Sequence, residues 1–247
     1  MDISQGIIFG IIAMIGWGAA DFFGAIAVRK AGTFTVYLWS ALLSVLFFLP
    51  LAPFFGIPVL SWSVVGLLLF ASLLTVISWL AFYKGFQVGK VSVVSPIALS
   101  WPAITVILSI TLLKESLTFI QASGVAFAIA GGVMTSFRLS DLGKLNFSSP
   151  SNGVKYALLA ALGWGIYFIP VDILVEKHGW FIPLFLIHAI SAGYILAYSG
   201  VTRRSMRFPV GLGKLLLAIS GLNAFAYLSY GLGITSEHTA VVAPIIA

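Results

Sequence analysis

Residues 91–99 read VSVVSPIAL, and residues 239–247 read TAVVAPIIA. Each copy places a Val-Val pair one residue ahead of Pro-Ile: Val93, Val94, Pro96 and Ile97 in the first, Val241, Val242, Pro244 and Ile245 in the second. Sliding the chain by 148 residues lays 67–99 on 215–247 without a gap, with 11 of 33 positions identical. Leucine-rich stretches match one another by composition alone. Composition does not produce the shared Val-Val-x-Pro-Ile, nor the Gly-Trp-Gly of Gly16–Gly18 that returns at Gly163–Gly165, an offset of 147. The chain therefore reads as two copies of one unit.

The unit is built for lipid. Of 247 residues, 60% are hydrophobic and 8% charged, whereas a soluble domain carries roughly 25% charged residues. Residues 31–83 contain no Asp, Glu, Lys or Arg over 53 positions. As one helix they would stretch roughly 80 Å, against a hydrocarbon core of about 30 Å. They must cross and return, and LPLAPFFGIP at 49–58 supplies the turn, because its three prolines and Gly56 interrupt the hydrogen-bond ladder of a helix.

Apolar runs of spanning length fall at about 3–28, 33–50, 62–83, 91–113, 117–137, 155–175, 180–202 and 212–235. The expected fold is all-α: a polytopic membrane protein with eight full transmembrane helices and the start of a ninth. Residues 1–137 form the first five-helix unit, 138–154 the Ser/Gly/Asn-rich connection, and 155–247 the second unit, incomplete. Five crossings per unit is an odd number, so the second unit enters from the opposite side, which makes an inverted repeat. The ninth run opens at Thr239 and holds roughly half of what a bilayer needs. The repeat thus predicts roughly 40 further residues to complete the second unit.

The connections after spans one, three, five and seven hold eleven of the thirteen Lys and Arg residues, leaving Lys114 and Lys177 on the other side. The positive-inside rule puts the eleven in the cytoplasm and the N-terminus outside. Basic residues scattered between spans in this way answer topology and anionic lipid, so the net charge of +6 carries no nucleic-acid reading. The N-terminal apolar stretch is too long for a signal peptide and has no basic residues before it. No cysteine is present, which excludes disulfides and thiolate chemistry.

Few side chains inside the spans can carry chemistry. Under the offset of 148, Ser72, Thr75, Trp79 and Phe82 of span three fall on Ser220, Asn223, Tyr227 and Tyr230 of span eight. The spacing i, i+3, i+7, i+10 keeps each set on one face. Lipid does not reward Ser, Thr or Asn, so these faces turn inward, either to bond a neighbouring helix or to line a cavity. Asp21 in span one is an acid within the membrane, a candidate for solute or proton contact. Asp172 in span six is one turn beyond the matching place, and with Glu176, Lys177 and His178 following, it reads as a group that reaches the interface. His188, mid-span in span seven, is either a satisfied core histidine or a proton carrier. Trp17 and Trp164 sit between glycines, as packing or as cavity wall. Pro96 and Pro102 fall inside span four, each removing a backbone hydrogen bond, and a bend at Pro102 would suit a gate.

No metal-ligand spacing, phosphate loop or catalytic serine motif is found, so the chain is not read as an enzyme and no metal or cofactor is assigned.

GWGAADFF at 16–23 and the block VSVVSPIALSWPAITVILSITLLKESLTFIQASGVAFAIAGGV at 91–133 resemble the EamA-type proteins of the drug/metabolite transporter superfamily. Pro102, Glu115, Gln121, Gly124, Gly131 and Gly132 carry the resemblance in the longer block. It implies ten helices in two inverted halves and a solute cavity lined by spans one, three, four, six, eight and nine. It also implies a cytoplasmic N-terminus, opposite to the charge pattern, and a role for Glu115 in the turn into span five.

The expected function is a secondary transporter of a small metabolite (amino acid, sugar or drug-like solute), an exporter working by alternating access. Trp17, Asp21, Trp79, Trp101, Asn223, Tyr227 and His188 are its candidate solute or proton contacts, and Pro96 and Pro102 its hinge. Its partners are the solute, the lipid bilayer and protons as coupling ion. Its place is the plasma membrane, or the inner membrane of a Gram-negative cell. The alternative is a truncated, non-transporting membrane scaffold.

Overall fold

A computed structural model describes residues 3–56, 61–136, 153–235 and 239–246. Among the described residues every regular element is helical. The long helices are α1 (Ile3–Ala31), α2 (Thr33–Phe48) and α3 (Trp62–Val88), then α6 (Phe119–Ser136), α7 (Val154–His178), α8 (Phe181–Thr202) and α9 (Gly213–Ile234). Three short ones, α4 (Val91–Ala98), α5 (Trp101–Leu108) and α10 (Thr239–Ile246), complete the set. The expected connection 138–154 lies outside the described residues apart from Gly153 and Val154.

Seven spans among the described residues are long and apolar enough to cross a membrane. The eighth expected span, 117–137, is α6, whose 18 residues stand near the lower limit for a bilayer. The surface agrees with a lipid setting. Trp62, Phe119, Ile120 and Val201 are exposed, while Ser72, Ser78, Thr105, Ser109 and Asn223 are buried. Apolar groups face outward and hydroxyls inward, the arrangement expected of a polytopic membrane protein.

Span four departs from expectation. It is not one helix bent at Pro102 but two eight-residue helices, α4 and α5, followed by a π-turn at Ser109–Leu113. The break falls at Leu99 and Ser100. There the Ser100 hydroxyl and its backbone N–H both bond the carbonyl of Ile97, at 2.7 and 3.4 Å. Pro102 occupies the first turn of α5, where a missing N–H breaks no bond of that helix. Pro96 lies inside α4, as Pro244 lies inside α10.

The most extensive helix pairings are α1 with α9 and α3 with α7, and the sequence offset carries one onto the other. At the first, Gly16 meets Ala226; a Cβ on the glycine would come within 2.9 Å of the Ala226 methyl. At the second, Gly163 meets Ser78, its counterpart pair. Two hydrogen bonds follow the same rule: Ser72 donates to the Ile187 carbonyl at 3.3 Å, and Ser220 to the Ser40 carbonyl at 3.2 Å. Gly16, Gly163 and Gly165 thus act in helix packing, and Ser72 and Ser220 bond neighbouring helices rather than a cavity.

Candidate functional site

With the glycine faces of α1 and α7 turned to α9 and α3, the two tryptophans between those glycines turn to the centre. Trp17 stands edge-on to Tyr227, ring centroids 4.9 Å apart at 84°. Trp164 stands edge-on to Trp79 at 5.2 Å and 81°. These are again offset counterparts, and together they frame a cavity. Trp101 stacks on Phe168 at 4.2 Å and closes one wall. Asp21 projects into this aromatic chamber from one turn beyond Trp17. Its Oδ1 is buried without a hydrogen-bond partner, as is Nε1 of Trp17.

A second cavity shares Trp79 and Tyr227 with the first, so those two rings form a partition. Its other lining residues include Thr75 and Asn223, Ser44 and Ser191, and Ala41 and His188. Each of these pairs is related by the offset of 147 or 148, so counterpart helices line this cavity alike. Asn223 Oδ1 is buried and unpartnered. The imidazole of His188 is anchored through Nδ1, 2.8 Å from the Leu184 carbonyl, and stands edge-on to Tyr227 at 4.4 Å.

All seven contact candidates read from the sequence therefore line one or other of two adjoining cavities. Trp17, Asp21 and Trp101 line the first, Asn223 and His188 the second, and Trp79 and Tyr227 both. Spans one, three, four, six, eight and nine each supply a residue to the first cavity, Leu99 and Ile246 among them. Phe168 was missed. It is the offset counterpart of Asp21, so the repeat that revealed Trp164 pointed to it as well. Tyr37 and Tyr83 were missed because aromatic residues in a span carry no sign of which way they face.

Asp172 stands elsewhere. It is half-buried, lines an open hollow with Lys114, Glu115 and Glu176, and accepts a hydrogen bond from the Thr239 hydroxyl, tying α7 to α10. Glu115 lies in the connection from the π-turn to α6, after Lys114 in the left-handed region, and its N–H bonds the Ser109 carbonyl.

A family model described as the EamA-like transporter family matches residues 4–137, more than half of the chain. An uncharacterized protein of Methanocaldococcus jannaschii is 31% identical over 130 residues, which are 53% of this chain and 95% of that one. An uncharacterized transporter of Archaeoglobus fulgidus is 26% identical over 177 residues, 69% of this chain but only 60% of the relative's length. A solved crystal structure shares the fold with a TM-score of 0.65 at 15% identity, covering 97% of this chain and 83% of its own.

Proposed function

The chain belongs to the EamA-like transporter family, and from that premise we propose that it is a secondary carrier exporting a small organic cation with a flat apolar body. The observation that carries this reading is Asp21, a carboxyl group whose Oδ1 is buried without a partner in a cavity walled mainly by the rings of Trp17, Trp79, Trp101, Trp164, Phe168 and Tyr227. Aromatic faces attract a cation and receive a flat ring. A lone carboxylate in low dielectric asks for one positive charge.

That single charge is met either by a proton or by the solute's ammonium group, not by both. Competition for Asp21 couples the two: a proton arriving from one side displaces the amine, and an amine arriving from the other displaces the proton. Alternating access presents Asp21 to the two sides in turn, with one unit rocking against the other about the shared wall of Trp79 and Tyr227. The break at Leu99–Ser100 supplies a place for span four to flex.

The test is uptake of small aromatic amines into proteoliposomes under an imposed pH gradient, beside quenching of tryptophan fluorescence by the same amines. Wild type should show pH-driven flux, and Asp21→Asn should abolish it. Unchanged flux in Asp21→Asn removes Asp21 from the mechanism. Equal competition by neutral isosteres removes the cation. Absence of both quenching and flux in wild type favours the scaffold.

A further inference from the structure

Away from the central cavities, a lateral crevice opens between α2 and α3 on one side and α7 and α8 on the other. It lies at the end of the bundle where α3 and α8 finish and α2 and α7 begin, the same end that carries most of the basic residues. We infer that it is a binding site for an anionic phospholipid, with the phosphate at Lys84 and Arg204 and an acyl chain lying along Ile77, Leu80 and Leu159.

The two cations are placed differently from loose surface charges. The chain leaves α8 with Arg203 in the left-handed region, and Ser199 then clasps Arg204 through both backbone groups. The Arg204 N–H bonds the Ser199 carbonyl at 3.1 Å, and the Ser199 hydroxyl donates to the Arg204 carbonyl at 3.0 Å. The guanidinium is carried over two rings, 5.4 Å from the centre of Phe34 and 5.5 Å from that of Tyr198. This arrangement orients a planar fork and leaves its donors available to phosphate. Lys84 is steadied by Gln87, whose Oε1 accepts from Lys84 Nζ at 3.0 Å and from the Thr33 hydroxyl at 3.2 Å. Deeper along the same walls the lining turns apolar. Ile77 lies two turns, or about 10 Å, below Lys84 on α3. Ile77 and Leu159 are 38% and 46% exposed, an apolar surface beneath a charged rim.

The mirrored place at the other end of the bundle shows that the opening is specific to this end. There the counterpart of Phe34 is Phe181, on which Phe55 stacks at 4.2 Å, and Trp180 stands edge-on to Phe55 at 5.5 Å. Trp180 lies against Gly231, and the counterpart of Lys84 is Leu232. Among the described residues, the same gap between helices is filled with rings and shows no cation at one end, and is open with two cations at the other. The open end is the one that faces the anionic cytoplasmic leaflet under the positive-inside rule.

Native mass spectrometry of the full chain tests this, with phosphatidylglycerol and phosphatidylcholine of equal chain length as probes. Wild type should retain phosphatidylglycerol, and the K84Q/R204Q variant should lose that retention by about tenfold. The K30Q/K214Q variant removes the same charge at the same end outside the crevice and should retain the lipid as wild type does. Equal loss in both variants, or no preference over phosphatidylcholine, overturns the site. Displacement of the lipid by millimolar inorganic phosphate overturns the lipid in favour of a soluble phosphate ligand. Wild type alone gives a second reading that needs no variant: phosphatidylglycerol should raise its thermal midpoint above that in phosphatidylcholine, and equal midpoints overturn the proposal.

Discussion

Gly163 lies so close to Ser78 that a methyl group built on the glycine would overlap the serine hydroxyl and stand 3.3 Å from its Cβ. The hydroxyl is held in place by its bond to the Leu74 carbonyl at 2.8 Å. Gly163→Ala should therefore destabilise the protein by about 1–3 kcal/mol, the usual cost of overpacking. Gly16→Ala, facing the Ala226 methyl, should act in the same direction. Gly18 has nothing within 4 Å of its hypothetical Cβ, so Gly18→Ala should be neutral or stabilising. Thermal unfolding in detergent of the three variants checks the order, and an equal effect at Gly18 would sink the packing account.

Ser72 and Ser220 make counterpart interhelical bonds, each also bonding a carbonyl of its own helix at 2.6 and 2.8 Å. Ser72→Ala and Ser220→Ala should each cost about 0.6 kcal/mol, and additively, since the bonds join different helix pairs. Solute binding should not change. A loss of binding in either variant would move that serine into the site.

Thr239 donates to Asp172 across the gap between α10 and α7. Thr239→Val keeps the shape and removes the donor, leaving the carboxylate short of one partner at a cost of about 1–3 kcal/mol. Hydrogen exchange at 239–246 should speed up while α1 and α9 keep their protection. Unchanged exchange would show that packing alone holds α10.

Trp79 and Tyr227 separate the two cavities. Trp79→Ala should join them, weakening the binding of a small aromatic amine about threefold to tenfold through loss of one aromatic contact. The same variant should admit larger amines that wild type rejects. Competition titrations over a size series decide this, and an unchanged size limit would show that the rings do not form the partition.

Much of this was written in the sequence. The Val-Val-x-Pro-Ile and Gly-Trp-Gly repeats named the counterpart helices, and those counterparts make matching contacts: Gly16 with Ala226, Gly163 with Ser78. The inward faces of spans three and eight were legible because lipid gives Thr75 and Asn223 no reason to face outward. The break in span four was less legible, because Pro102 drew attention to itself while the turn formed at Ser100, through a side-chain bond that no residue type enforces. Asp172 lies among charged groups, as its neighbours along the chain suggested, but its bond from Thr239, 67 residues away, left no mark in the sequence. The aromatic walls stayed hidden where direction, not identity, decides: Tyr37 and Tyr83 differ from lipid-facing rings only in which side of a helix they occupy.

The pairing of α1 with α9 bears on how the protein is made. A chain emerges from its N-terminus, so α1 reaches the membrane while Gly213–Ile234 is still untranslated. Until α9 arrives, the flat face at Gly16 has no helix to receive it, and Asp21 stands in a helix whose aromatic chamber does not yet exist. The first half of the molecule must therefore wait, inserted but unassembled, for α9. Assembly of this pair follows the synthesis of α9, and the insertion machinery must shelter an intramembrane acid until then.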